Sequence, residues 1–84
     1  MKIKSNIALS ESGFIFNPNT GESFTLNPTG QLLFGLIREG KEFPEIREYF
    51  LENFETEEDV FEKDFEDFIH LLNSYQMMEP DEQA

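Results

Sequence analysis

Gly13-Phe-Ile-Phe-Asn-Pro-Asn-Thr-Gly-Glu-Ser-Phe-Thr-Leu-Asn-Pro-Thr-Gly30 decides the fold of this 84-residue chain. Phe14 to Phe16 and Ser23 to Leu26 are short runs of aromatic, aliphatic and β-branched residues, which suit a pleated, half-buried surface. Between them, Asn17-Pro18-Asn19-Thr20-Gly21 is turn chemistry, so the segment reads as a β-hairpin. Two registers are open: Phe14 faces Phe24 if five residues close the loop, and Ile15 faces it if four do. At Asn27 the pattern changes. Its side chain can accept an orphan helical N–H, and Pro28 suits a first helical position, where a missing N–H costs nothing. A strand therefore runs directly into a helix.

Upstream, Ile3, Ile7 and Leu9 precede the polar turn Ser10-Glu-Ser-Gly13, consistent with another short strand near Asn6 to Leu9. Downstream, the first helix spans Pro28 to Arg38. Leu32, Leu33, Phe34, Leu36 and Ile37 cover so much of its circumference that it should be the buried central helix. Gly40 can take the left-handed conformation that ends it. A second helix, Phe43 to Asn53, places Ile46, Tyr49, Phe50 and Phe54 on one stripe, with Glu45, Glu48 and Glu52 away from it. Thr56 supplies an N-cap hydroxyl for a third helix, and Glu57, Glu58 and Asp59 favour its positive end. From Val60 to Tyr75, Phe61, Phe65, Phe68, Ile69 and Leu72 follow helical spacing, while Glu62, Lys63, Glu66, Asp67 and His70 lie outside the stripe. The reading is one domain over residues 1–79, with a frayed acidic tail at 80–84.

Hydrophobic residues make up 38% of the chain and ten of them are Phe, so the core must rest on a few large rings. Without cysteine there is neither a disulfide framework nor a thiolate site, and the simplest compartment is a reducing cytoplasm. No apolar run approaches a membrane span, and Met1-Lys-Ile-Lys-Ser-Asn6 does not read as a signal peptide. The net charge of −12 comes from 18 acidic and 6 basic residues, and thirteen of the acids lie between Glu39 and Asp67. Such a field repels phosphate backbones, favours basic or neutral partners and keeps a Phe-rich domain in solution.

Catalytic constellations are not apparent. A nucleophile needs a base and an orienting group in mutual contact, and His70 is the single histidine, mid-helix on the polar edge. Glu57-Glu58-Asp59 and Glu66-Asp67 read as hydrated carboxylates rather than buried acid–base pairs. Neither an EF-hand loop nor a Gly-rich phosphate loop occurs. The third helix would meet a DNA major groove with Glu62, Glu66 and Asp67, opposed by Lys63 alone, so nucleic acid is not the expected partner. The chain reads as a non-enzyme with no cofactor and no metal.

What remains is recognition of a peptide, since an exposed strand edge can bond an added strand and an apolar helix flank can take its side chains. The hairpin strand with its Leu26-Asn-Pro-Thr-Gly30 junction and apolar helix resembles the PqqD family of leader-peptide-binding proteins, also called RiPP recognition elements. Arg38-Glu-Gly-Lys-Glu-Phe-Pro-Glu-Ile46 is similar to the family's glycine-terminated first helix and its second helix, and Phe61 to Leu72 to its third. The resemblance covers roughly Ile7 to Met78. Glu42 stands where the family commonly has Ser or Thr, and Gln76-Met77-Met78 replaces a Gly-Leu-Leu-like ending, which leaves the helix exit without its usual glycine.

The resemblance implies an α+β domain: a small antiparallel sheet of two or three N-terminal strands followed by three helices, winged helix-turn-helix-like in character. It also implies a role. The leader of a ribosomally made precursor adds to the strand Ser23-Phe24-Thr25-Leu26 and packs against Phe61, Phe65, Phe68 and Leu72. The domain then presents it to a modifying enzyme, a radical SAM protein or an HPr-kinase-like protein. Plain core packing is the competing reading for at least half of those α-helical side chains. The rival function is a structural adaptor or homodimer formed through the same strand edge.

Overall fold

The hairpin closes through four residues. In the computed structural model, which describes residues 1–79, β2 (Phe14–Asn17) and β3 (Glu22–Thr25) pair antiparallel with Ile15 opposite Phe24. Of the two registers open to the sequence, this one buries Ile15 and Asn17 completely and turns Phe14 and Phe16 outward. A one-residue slip would exchange those sets. β1 (Ala8–Leu9) pairs antiparallel with the other side of β2, so the sheet order is β1-β2-β3 and β3 is an edge. The strand expected from Asn6 is shorter because a turn bond from Ile7 N–H to the Lys4 carbonyl occupies its start.

Gly13 joins the hairpin to the helical half. Its backbone has φ +88°, its carbonyl accepts the Leu26 N–H at 2.8 Å, and a Cβ there would stand 2.8 Å from the Leu26 oxygen and overlap the Gln31 side-chain amide. Only glycine fits both demands. α1 (Pro28–Arg38) then begins as its sequence requires, with Asn27 Oδ1 accepting the Gly30 N–H at 2.7 Å and Pro28 in the first turn. Leu33, Phe34 and Ile37 are buried, whereas Leu32 and Leu36 are half-buried on its flanks.

α2 (Phe43–Asn53) starts at Glu42, whose N–H donates to Glu45 Oε1 at 3.2 Å. Ile46 and Phe50 face the core. Tyr49 and Phe54, predicted to share that stripe, are instead 40% and 44% exposed. Tyr49 sits about 100° around the helix from Phe50, and Phe54 lies beyond the helix on extended backbone, so neither can follow the line set by Ile46 and Phe50.

α3 (Glu58–Ser74) begins one residue later than a Thr56 cap predicts. Glu57, not Thr56, holds the N-cap position, and the Thr56 hydroxyl lies 3.4 Å from the Glu57 carbonyl oxygen instead of capping the helix. Tyr75, predicted as the last helical residue, is the C-cap. Beyond it Gln76 takes φ +57°, its N–H donates to the Asn73 carbonyl, and Met77 N–H donates to that of Leu72 at 2.9 Å. These two bonds close the helix as Gly40 N–H to Ile37 and Lys41 N–H to Leu36 close α1. The helix exit thus keeps the left-handed geometry without glycine.

After that turn the chain comes back to its own start. Lys4 N–H donates to the Met77 carbonyl, Glu79 N–H donates to that of Lys2, and Ile3 bridges Met78. Ile3, Met77 and Met78 are thereby buried beside Ile7, Ile15, Phe34, Ile46 and Leu72. Among the described residues no helix is long and apolar enough to cross a membrane. The tail predicted at 80–84 lies outside the described residues.

Candidate peptide-binding edge

Hydrogen bonding alternates along an antiparallel pair. Because Leu26 N–H bonds to the Gly13 carbonyl, and Ile15 lies opposite Phe24, the inward-bonding residues of β3 are those in step with Leu26 and Phe24. The N–H and C=O of Ser23 and Thr25 therefore point away from β2, and among the described residues no strand pairs with that side. The Ser23 and Thr25 side chains are exposed, whereas Phe24 turns to the inner face and is half-buried.

The surface beside this edge comes from the end of α3. The Phe24 and Tyr75 rings are 4.6 Å apart at an interplanar angle of 36°. Leu71, one helical turn before Tyr75 and on the same face, is 36% exposed. Asp67 and Asp64 continue that flank toward the start of the helix, both accessible to solvent, and Asp67 pairs with Lys63 at 3.3 Å. An unpaired strand edge thus runs beside an apolar corner of Phe24, Tyr75 and Leu71, with carboxylates beyond it.

Of the eight side chains predicted for a peptide, Ser23, Phe24 and Thr25 are accessible. Leu26 is buried, as are Phe61, Phe65, Phe68 and Leu72, all within the central cluster. Phe61 stacks on Phe50 at 5.0 Å, and Phe65 lies 4.9 Å from Phe43. Phe68, at 9% exposure, is the most accessible of the four.

Tyr75 and Leu71, which border this edge, are not among those eight residues. Tyr75 continues the Phe68 and Leu72 spacing, so extending the helical stripe by one step would have found it. Its position depends on Asn17, which is fully buried at the end of β2. Asn17 Nδ2 donates to the Tyr75 carbonyl at 2.9 Å and the Gln76 carbonyl at 3.2 Å, while Oδ1 accepts the Asn19 N–H at 2.9 Å. A turn residue in the sequence is thus also a cap for α3, satisfying carbonyls that have no partner within the helix.

His70 is exposed, as its polar-edge position predicted. Among the described residues the ion pairs are Arg47–Glu58 and Lys63–Asp67, each at 3.3 Å, and no cluster of His, Asp and Glu is arranged to hold a metal ion.

Two solved structures are similar to this chain. TbiB1 in complex with the TbiA(beta) leader peptide has a TM-score of 0.88 at 24% identity, over 96% of this chain and 98% of that one. Lasso peptide synthetase B1 complexed with the leader peptide has a TM-score of 0.80 at 20% identity, over 93% and 95%. At these identities the likeness is one of fold. No curated protein matches the chain significantly. The family model described as Coenzyme PQQ synthesis protein D (PqqD) matches residues 13–77, from the glycine that begins the hairpin to the methionine that closes α3, and the chain belongs to that family.

Proposed function

We propose that this chain binds the leader segment of a ribosomally synthesised precursor peptide as an added strand on β3 and presents it to a modifying enzyme. One observation carries this reading: the outward-pointing backbone of Ser23 and Thr25 lies beside the apolar corner of Phe24 and Tyr75. Strand addition supplies main-chain hydrogen bonds, and the corner receives alternate side chains of the peptide. Family membership supports the reading, as do the two similar structures, each of which is a complex with a leader peptide. Ser23 to Leu26 supply the strand. Phe61, Phe65, Phe68 and Leu72 form the packed base that holds it beside α3, with Leu71 and Tyr75 at the surface. The receiving enzyme is a radical SAM protein or an HPr-kinase-like protein, as the family implies.

An NMR titration of the labelled chain with synthetic leaders of precursors encoded beside it tests the proposal. Shifts concentrated on Ser23 to Leu26 and Phe61 to Tyr75 are expected. Unchanged spectra at millimolar leader would overturn it, and a stable dimer protecting β3 from amide exchange would favour the adaptor reading. Leaders drawn from radical SAM and kinase-associated systems separate the two enzyme classes by affinity.

A further inference from the structure

A second aromatic surface lies at the opposite end of α3. Val60 is 49% exposed in the first turn of that helix, and Tyr75 closes it about 22 Å away at ~1.5 Å per residue. At the α2–α3 connection, the exposed Tyr49 and Phe54 rings are 6.5 Å apart at an interplanar angle of 62°. Phe54 stacks on Phe50 at 5.0 Å, and Phe50 stacks on the buried Phe61 at 5.0 Å. The exposed rings are therefore the outer end of an aromatic row rooted in the core. Glu55, Thr56, Glu57 and Val60 line a shallow depression nearby.

The rim is predominantly acidic. From Glu48 to Val60 the chain carries Glu48, Glu52, Glu55, Glu57, Glu58 and Asp59 with no Lys or Arg. Of these, Glu58 is paired, with Arg47 of α2. A phosphate backbone or an anionic lipid surface would meet this rim with like charge. A second copy of the same patch would bring carboxylates mainly against carboxylates, because Arg47, its one neighbouring cation, is already paired with Glu58.

We propose that the exposed Tyr49 and Phe54 rings, with the depression that Val60 lines, dock a Lys- or Arg-rich segment of a partner protein that presents an apolar face. The pre-ordered rings supply contact area at little cost in side-chain entropy, and a guanidinium can lie over the Tyr49 face. The surrounding carboxylates orient the cationic flanks and speed encounter. The site is independent of the peptide edge, so both can be occupied together.

The test uses three 18-residue peptides with the labelled 84-residue chain at physiological salt: amphipathic Leu/Lys, Leu/Glu with the same apolar positions, and Gly/Lys with the same charge. The Leu/Lys peptide is expected to shift resonances between Glu48 and Val60, and the Leu/Glu peptide to leave them unmoved. Tyr49→Ser and the double variant Glu52→Lys, Glu55→Lys should each weaken Leu/Lys binding about tenfold. Both alter exposed side chains, and an unchanged spectrum outside the patch establishes that they fold. Gly/Lys binding should be diffuse and indifferent to Tyr49→Ser. Equal, equally placed binding of Leu/Lys and Gly/Lys would overturn the proposal, as would Leu/Lys shifts centred on β3 or a dimer that protects Tyr49 and Phe54.

Discussion

Asn17 Nδ2 donates to the Tyr75 carbonyl at 2.9 Å and so ties the end of β2 to the end of α3, where the Tyr75 ring meets Phe24 of β3. The bond is fully buried on the Asn17 side and joins residues far apart in sequence. Asn17→Ala would leave the Tyr75 and Gln76 carbonyls without their donor. A loss of roughly 2–3 kcal/mol in urea denaturation is expected, together with weaker leader binding. Unaltered stability would remove the clamp from the account of the fold.

Gln76 holds at the end of α3 the backbone that Gly40 holds at the end of α1. A side chain in that conformation is strained, and glycine is not. Gln76→Gly should raise stability by about 0.5–1 kcal/mol, whereas Gly40→Ala should lower it by about 1 kcal/mol. Thermal unfolding of the pair gives opposite signs if both termini close as described.

Proline distinguishes the two sides of β3. Thr25→Pro deletes an N–H that points to the open edge and should leave the fold intact, while leader affinity falls about three- to tenfold. Phe24→Pro deletes an N–H bonded toward β2 and should unfold the hairpin. Circular dichroism followed by calorimetry with a leader peptide reads both effects, and equal unfolding by both variants would show that the edge has been assigned to the wrong residues.

On α3, core and surface positions alternate closely enough to be tested side by side. Phe68→Asp places a charge among buried rings and should unfold the domain, whereas Leu71→Glu alters an exposed side chain and should reduce leader affinity with little change in melting temperature. Full stability of the Phe68 variant would contradict its placement in the core.

Much of the fold was legible because its signals are local. Asn27 and Pro28 start α1 where their chemistry predicts, Gly40 ends it, and the Phe61, Phe65, Phe68, Leu72 stripe is buried along α3. Local signals also misled. Thr56 has the right side chain for a cap but lies one residue too early, and Tyr49 and Phe54 match a stripe in composition while their backbone turns them outward. Leu71 and Tyr75 gave weak signals, since an aromatic or aliphatic residue near a helix end reads as core until its neighbours are known.

By itself the sequence determined the order of strands and helices, the strand-to-helix junction at Asn27, the acidic charge and the family, because capping, periodicity and turn chemistry act over a few residues. The tertiary structure alone decided the four-residue hairpin register, the pairing of Ile3 with Met78, the cap that Asn17 places on α3, and the outward Tyr49 and Phe54. Each of these depends on which distant segments compete for one buried face. That competition is settled only when the whole core packs and every buried polar group finds its partner.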